Sequence, residues 1–432
     1  MKKRSLYSQL VNGTVLILGG VFLSRIFGFL YRFLLARYLG PDRYGLFSLG
    51  IMTTGILSIF TLFGLHEGTK RFIVMYREQR RPDKLKGLVL VSTLTVVSLS
   101  ALIYLLFHSF AGEISATVFS KPELERILKI FSMAVLFNSL LILLQEVFVG
   151  FERPLLRALT EGFGLRFCPL ICAVFVILAG GDLIEISKSY LIGLLIASAL
   201  GYLALYLLLF REPAGNIIFD GRELYAYSFP LLFTGIVELL FQWTDIFLIG
   251  VYLPAAAAGI YSAVFTAASV MPSVNVAVSA LFLPRTVRNF VKQDLAEMKN
   301  DFFKTQKNIF LLTLPLAMVF IVFPESVIHI AFGEAFLGGT WAMRILSVGI
   351  FAGICFCPGQ SVLLAIGQTR RLLVVHATIS VVNILLNIIL IQKAGIEGAA
   401  FATAFCWFVK NAVIYKMVMG YFAGGFRQNI SK

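Results

Sequence analysis

The stretch GTVLILGGVFLSRIFGFLYRFLLARYLGPDRYG, residues 13–45, decides the class of this protein. About 20 apolar residues at helical rise cross a hydrocarbon core. The apolar segment runs over 11–39, so Arg25 falls near mid-depth rather than at an end. Arg32 follows two helical turns later, and the two arginines share a face with Phe29 between them. One arginine at the bilayer centre costs about 2.5–3.5 kcal/mol even on a lenient insertion scale. Two on one face need either carbonyls or acids that pin them or a wet cavity that they line. A cationic cavity wall is the expectation. The segment turns at Gly40-Pro41 straight into a second apolar run.

Outward from this segment, the composition stays the same. Of 432 residues 59% are hydrophobic and only 14% charged, which describes an all-α, polytopic membrane protein. A net charge of +14 would suggest nucleic acid in a soluble protein. Here Lys and Arg gather in short segments between apolar runs, so membrane lipids are expected as partners and nucleic acid is not. Twelve spans are expected, six at 11–38, 44–65, 87–107, 127–149, 162–180 and 189–210, and six at 228–252, 259–283, 308–330, 341–366, 372–392 and 397–422. These make an N-terminal half (1–210) and a C-terminal half (227–432), joined by a polar cytoplasmic linker at 211–226 whose Pro and Gly break helices. With the N-terminus inside, Lys and Arg in the cytoplasmic segments outnumber those in the external loops by roughly five to one. Both termini are therefore expected in the cytoplasm, with the protein in the plasma (inner) membrane. The richest segments, 66–86 and 284–307, are expected to be solvated basic loops near anionic lipid. The N-terminal Lys-Lys-Arg and the apolar run after it could pass for a signal peptide, but the run is too long and carries two arginines, so it reads as a retained helix.

A repeat links the halves. At an offset of 214, Leu34, Tyr38, Leu39, Gly45 and Ser48 face identical Leu248, Tyr252, Leu253, Gly259 and Ser262, while Phe47 faces Tyr261 and Arg71 faces Arg285. At 215, Gln145 and Val147 face Gln360 and Val362. Two parallel six-helix repeats then surround a central cavity, the arrangement of carriers that expose substrate alternately on the two sides. On the seventh span Glu238, Gln242 and Asp245 share a face. Subtracting 214 sets Glu238 and Asp245 opposite Ser24 and Tyr31, each one residue from an arginine. Glu238 and Gln242 are expected to make polar contacts between the halves; simple Arg–carboxylate pairing and a direct functional role both stay open.

Arg166, Arg344 and Lys410 join Arg25 and Arg32 as candidate substrate contacts, with snorkelling an equal option for Arg344 and Lys410. Asn138, Gln145, Glu146, Gln360, His376 and Asn411 read as helix–helix hydrogen bonds. Pro272, Pro315, Pro324 and Pro358 are expected to interrupt helices of the second half. The five cysteines lie in apolar segments without metal-ligand neighbours and read as core residues. There is no phosphate-binding Gly-rich Lys-Ser/Thr loop and no insertion large enough for an ATPase. No Asp-x-Asp occurs in the short external loops, as a membrane glycosyltransferase would need. The protein is not expected to be an enzyme.

SRIFGFLYRFLLARYLGPDRYG (24–45) resembles the opening of the polysaccharide (O-antigen-type) flippases, part of the superfamily that also holds multidrug antiporters and lipid II flippases. Ser24, Arg25, Gly28 and Phe29 are similar to the lipid II group, and Ala36, Arg37, Leu39, Gly40, Pro41, Tyr44 and Gly45 to the polysaccharide group. GIEGAAFAT (395–403) resembles that family's turn into the last helix. The resemblance implies a V-shaped bundle whose cationic cavity moves a polyprenyl-linked oligosaccharide outward, as a monomer that could work beside polysaccharide-assembly enzymes. It brings no cofactor other than a coupling Na+ or H+. In lipid II flippases a sodium site joins helices 7, 11 and 12, and its positions fall on Asp245, Asn383, Asn387 and Thr403. Asn387 departs from relatives that carry a second acid there. An Asp held by amides without an ion, or one that carries a proton, remains open. A cation-coupled multidrug antiporter of the same fold, opposed by Arg25 and Arg32 and favoured by Glu238 and Asp245, and a lipid II-type flippase are the competing expectations.

Overall fold

The computed structural model describes residues 2–210 and 221–424, with side chains from Ser24 onward apart from 210 and 280. The described residues are helical, with no strand among them. The chain divides into two compact units, Met1–Leu239 and Leu240–Lys432.

The first unit opens with α1 (Lys2–Leu62), which is two helices joined across a kink. Gly40 adopts φ 73°, ψ 173°, a conformation that L side chains avoid, and Pro41 then starts the second helix where its missing N–H costs nothing. The expected basic loop at 66–86 is instead largely helical. In α2 (Leu65–Glu78) the residues Leu65, Thr69, Phe72, Ile73 and Tyr76 are buried along one stripe, which leaves the charges on the other face. Next come α3 (Pro82–Glu113), α4 (Leu124–Gly150) and the short α5 (Pro154–Leu159). A π-helical stretch (Thr160–Phe167) leads into α6 (Cys168–Leu178), and α7 (Leu183–Phe210) follows. Of the expected linker 211–226, residues 211–220 lie outside the described residues, and Arg222 already begins α8 (Arg222–Tyr252).

Polar contacts tie α1 to α4. Thr54 Oγ1 donates to the Phe131 carbonyl (3.1 Å), Thr61 and Ser139 share a 2.6 Å hydrogen bond, and Asn138 Nδ2 donates to Ser58 Oγ (2.9 Å). Asn138 thus does the helix–helix work expected of it. In lipid, dispersion and such bonds hold helices together, because apolar burial gains little against a hydrocarbon solvent. Rings fill the space beside this seam: Phe47 and Phe131 lie 5.3 Å apart edge to face, and Phe131 stacks on Tyr190 at 5.3 Å.

The second unit holds the end of α8, then α9 (Ala255–Ala268), α10 (Val270–Val291), α11 (Leu295–Val322), α12 (Pro324–Ala331), α13 (Thr340–Ile354), α14 (Gly359–Ala365) and α15 (Thr369–Phe422). The expected loop at 284–307 is helical as well, apart from a short turn. There the Asp294 side chain caps α11 by accepting from the Glu297 N–H at 2.9 Å. Two expected spans are divided. Pro324 starts the short α12, and α13 and α14 are separated at 355–358, where Cys357–Pro358 is cis. Pro315 stays inside α11 without ending it, and Pro272 sits in the first turn of α10. α15 breaks at Ala394–Gly395, with Gly395 at φ 58°. α13 meets the second part of α15 closely, because Gly349 lies against Ala404 and Gly353 against Trp407. That spacing of two glycines four apart is the small-residue seam of membrane helices.

Ten helices among the described residues are long and apolar enough to cross a membrane. Two of them, those at Ser24–Leu62 and Thr369–Phe422, are the kinked ones.

Candidate functional site

Among the described residues, each unit carries a polar cluster on helices long and apolar enough to cross a membrane. In the first, Arg25 and Arg32 lie on one face of α1 with Gly28 between them. Arg166 comes from the π-helical stretch, whose wider turn is a common feature of functional sites. A Cβ on Gly28 would stand 3.4 Å from Arg166 Cδ and 3.6 Å from Nη1, so the guanidinium lies flat against the bare helix face. Phe27 and Phe167, 4.9 Å apart, hold the two helices together at this level. The three guanidinium groups are close enough to repel one another, and Glu161 and Tyr190 lie within electrostatic reach of Arg166. Arg25 and Arg166 are exposed and Arg32 is half-buried, so the cluster is reachable at Arg25 and Arg166. Gathered cations with two of their guanidinium groups accessible suit a multiply charged anion.

The second unit buries a carboxylate. Asp245 Oδ2 accepts from Tyr261 Oη at 2.6 Å and from Thr403 Oγ1, and Oδ1 accepts from Asn387 Nδ2 at 2.9 Å. Asn387 also donates to the Asn383 carbonyl (3.0 Å), and Asn383 Nδ2 reaches Thr403 Oγ1 at 3.5 Å. All five residues are buried. The four positions expected from sequence therefore meet in space. The break at Ala394–Gly395 folds Thr403 back beside Asn383 and Asn387. Tyr261 was not among the expected residues. Its signal was present in the repeat, where Phe47 faces Tyr261 and Tyr31 faces Asp245. In the first unit Tyr31 and Phe47 meet as rings, 6.3 Å apart edge to face. In the second, the corresponding residues are an acid and its phenol donor. The side-chain oxygens of Asn383 and Asn387 are buried without a partner among the described residues.

Arg344 and Lys410 are engaged elsewhere in the second unit. Arg344 Nε donates to the Ile321 carbonyl at 3.1 Å in the last turn of α11, and its guanidinium lies 4.7 Å over the Trp341 ring. It borders a groove of about 340 Å3 between α13 and α15 that Val348, Phe401 and Phe405 also line. Lys410 is buried, its ammonium 4.3 Å from the Trp407 ring and 4.5 Å from that of Phe241. Glu238 and Gln242 are exposed on α8. Glu146, expected as a simple helix–helix contact, pairs with Lys70 at 2.7 Å, and Lys70 also holds Glu67 at 2.7 Å.

An all-helical bundle with this many helices long and apolar enough to cross a membrane is an integral, multi-pass membrane protein. The family model for polysaccharide biosynthesis proteins matches residues 10–290, and the chain belongs to that family. Among curated relatives, the "Probable low-salt glycan biosynthesis flippase Agl15" of Haloferax volcanii is 25% identical over 404 residues, covering 91% of this chain and 81% of the relative. The "Putative O-antigen transporter" of Shigella flexneri is 23% identical over 383 residues, covering 85% and 87%. Among solved structures, the lipid II flippase MurJ in an inward closed conformation superposes with TM-score 0.76 at 17% identity, covering 94% of this chain and 87% of that one. An inward-facing multidrug resistance transporter of the MATE family also reaches 0.76, at 11% identity, covering 95% and 98%. These two structures show the shared fold.

Proposed function

We propose that the protein carries a polyprenyl-(pyro)phosphate-linked oligosaccharide from the cytoplasmic to the external leaflet by alternating access. One observation carries this reading: Arg25, Arg32 and Arg166 gather around the bare face at Gly28, with Arg25 and Arg166 exposed. A pyrophosphate is multiply charged and strongly hydrated, and forked, permanently charged donors can replace its water. The names of the relatives from Haloferax volcanii and Shigella flexneri support the same substrate class. Arg344 and Lys410 already have partners in their own unit, so we assign them supporting roles.

The kinks at Gly40 and Ala394–Gly395 favour counting α1 and α15 twice, which gives twelve crossings in halves 1–210 and 227–432. The positive charge of the intervening segments supports cytoplasmic termini, and the plasma (inner) membrane is the location this reading assigns. The working unit is a monomer, with polysaccharide-assembly enzymes as neighbours. Asp245, Asn383, Asn387, Thr403 and Tyr261 form the coupling site. One carboxylate with neutral oxygens suits a monovalent hard cation, and the two partnerless amide oxygens are further ligands for Na+; H+ on Asp245 is the other coupling ion.

A buried acid on a fold shared with a MATE transporter favours a second reading, cation-coupled export of cationic drugs. Purified protein in liposomes separates the two. Flipping of a fluorescent polyprenyl pyrophosphate oligosaccharide should require Arg25, Arg32 and Arg166, each tested as alanine. A protein that moves cationic dyes and leaves the lipid in place would overturn the flippase reading.

A further inference from the structure

Two recesses meet at the turn between α4 and α5. One, about 230 Å3, is lined by Glu152, Arg153, Pro154, Arg157 and Glu161. The other, about 430 Å3, is largely apolar, with Leu155 and Leu156 on one wall and Ala204, Leu207 and Leu208 of α7 on the other. Glu152, Arg153 and Pro154 border both, so the polar recess opens into the apolar one at Arg153.

Local sequence builds this junction. Glu152 turns the chain with φ 57°, the Arg153 N–H donates to the Phe148 carbonyl at 2.8 Å, and Pro154 then starts α5. Arg157 is one helical turn beyond Arg153 and borders the same recess. Glu152 is drawn to Arg77 at 3.4 Å. Arg153 and Arg157 are exposed, and neither pairs with a carboxylate among the described residues. Leu155 and Leu207 are more than half exposed, at 56% and 57%, so the apolar groove is unfilled by protein. On the far side of the polar recess, Glu161 lies within electrostatic reach of Arg166, the guanidinium seated on Gly28.

We propose that the paired recess is a loading site for the lipid-linked substrate. Arg153 and Arg157 hold the (pyro)phosphate, and the polyprenyl chain lies between α5 and α7 against Leu155, Leu156, Leu207 and Leu208. The inference rests on the flippase reading above. Charge and shape select the occupant: an anionic head joined directly to one long hydrocarbon chain matches two exposed guanidinium groups, left without a carboxylate partner because Glu152 is drawn to Arg77 and Glu161 lies near Arg166, beside an apolar groove. Arg157 and Glu161 border the same recess, and Glu161 is within electrostatic reach of Arg166, so the loading site lies next to the arginine cluster in sequence and in space. The turn is also at the end of the bundle expected to face the cytoplasm, where such a substrate is made available.

Full-length protein in phosphatidylcholine nanodiscs, probed with a long-chain polyprenyl pyrophosphate and with free pyrophosphate, provides the test. R153Q/R157Q should weaken polyprenyl pyrophosphate binding by at least about tenfold, since each removes a charge-assisted contact. Leu208→Trp blocks the groove without touching charge. It should weaken the polyprenyl probe several-fold and leave free pyrophosphate binding unchanged. In liposomes both variants should flip slowly at low substrate and recover at saturation, as expected of a loading defect. Unchanged affinity in both variants overturns the proposal, and so does equally strong competition by phosphatidylglycerol, which would mark an ordinary anionic-lipid site. If the wild type neither binds nor flips the polyprenyl probe, the flippase reading itself fails. If it does both and the variants match it, only the loading site fails.

Discussion

Gly28 allows the cationic wall to be tested without altering an arginine. A Cβ built there stands 3.4 Å from Arg166 Cδ and 3.6 and 3.7 Å from its Nη1 and Nε. Alanine is thus at the close end of van der Waals contact, and it replaces a mid-helix glycine with the best helix former, a gain of about 1 kcal/mol. The methyl carbons of valine reach about 1.5 Å farther, one carbon–carbon bond, into the space of the guanidinium. Arg166 must then leave its seat. A lost charge-assisted contact costs about 1.5–3 kcal/mol, or roughly ten- to hundredfold in rate or affinity. Gly28→Ala should therefore flip substrate at nearly the wild-type rate and melt at or above the wild-type temperature. Gly28→Val should accumulate in the membrane yet flip about ten- to hundredfold more slowly. Initial rates in liposomes and thermal melts in detergent measure both. Gly28→Val at the wild-type rate would refute the seat, and equal loss in both variants would assign the effect to helix contact rather than to Arg166.

Four further outcomes follow from the geometry. If Asp245 binds Na+, the melting temperature rises with added Na+ at constant ionic strength; Asp245→Asn should abolish that rise, and a wild type indifferent to Na+ would eliminate the sodium site. Tyr261→Phe, which removes only the phenol donor to Asp245, should cost about 1.5–3 kcal/mol in thermal unfolding and weaken the Na+ response, whereas no change would show the hydrogen bond to be idle. Gly353→Val places carbon atoms against Trp407 and should destabilise the second unit by about 1–3 kcal/mol, read as a lower melting temperature without loss of the first unit's folding. In α2, burial pushes the His66 imidazole below its ordinary value, with Glu67 and Glu146 opposing; its contribution to stability is intact above about pH 6.5 and is lost as pH falls below it. Burial alone would depress the neighbouring Lys70, but Glu146 and Glu67 outweigh it and raise the ammonium, so that contribution is lost only as pH rises through and above about 10.4. His66→Gln should flatten the acid side of a melting-temperature profile and leave the alkaline side alone.

Much of this protein was legible in its sequence because lipid leaves the backbone few choices. An apolar run long enough to cross must be helical, so the spans around Arg25, Asp245 and Asn387 could be read directly. Side chains one or two turns apart share a face, which located Arg25 with Arg32 and Asn383 with Asn387 before any contact was known. The segments at 66–86 and 284–307 were misjudged as loops for the same reason in reverse. Charge marks where a segment leaves hydrocarbon, not where a helix stops, and an amphipathic pattern such as Leu65, Thr69, Phe72 and Tyr76 continues past that point.

The sequence by itself determined the all-helical membrane class and the shared faces of Arg25 with Arg32 and of Asn383 with Asn387, because both depend on spacing within single helices. What it could not determine was which groups from different helices meet. That Arg166 lies on Gly28 depends on a π-helical stretch that turns it toward α1, and no residue pattern announces that turn. That Tyr261 donates to Asp245 depends on the approach of α9 to α8, and that Arg344 serves the last turn of α11 depends on where α11 ends before Pro324. Lys410, an equal candidate for snorkelling by its chemistry, is instead enclosed by Phe241 and Trp407. In each case the partner is remote in sequence, and only the packing of helices, set by small residues and by where the backbone breaks, brings the two within bonding distance.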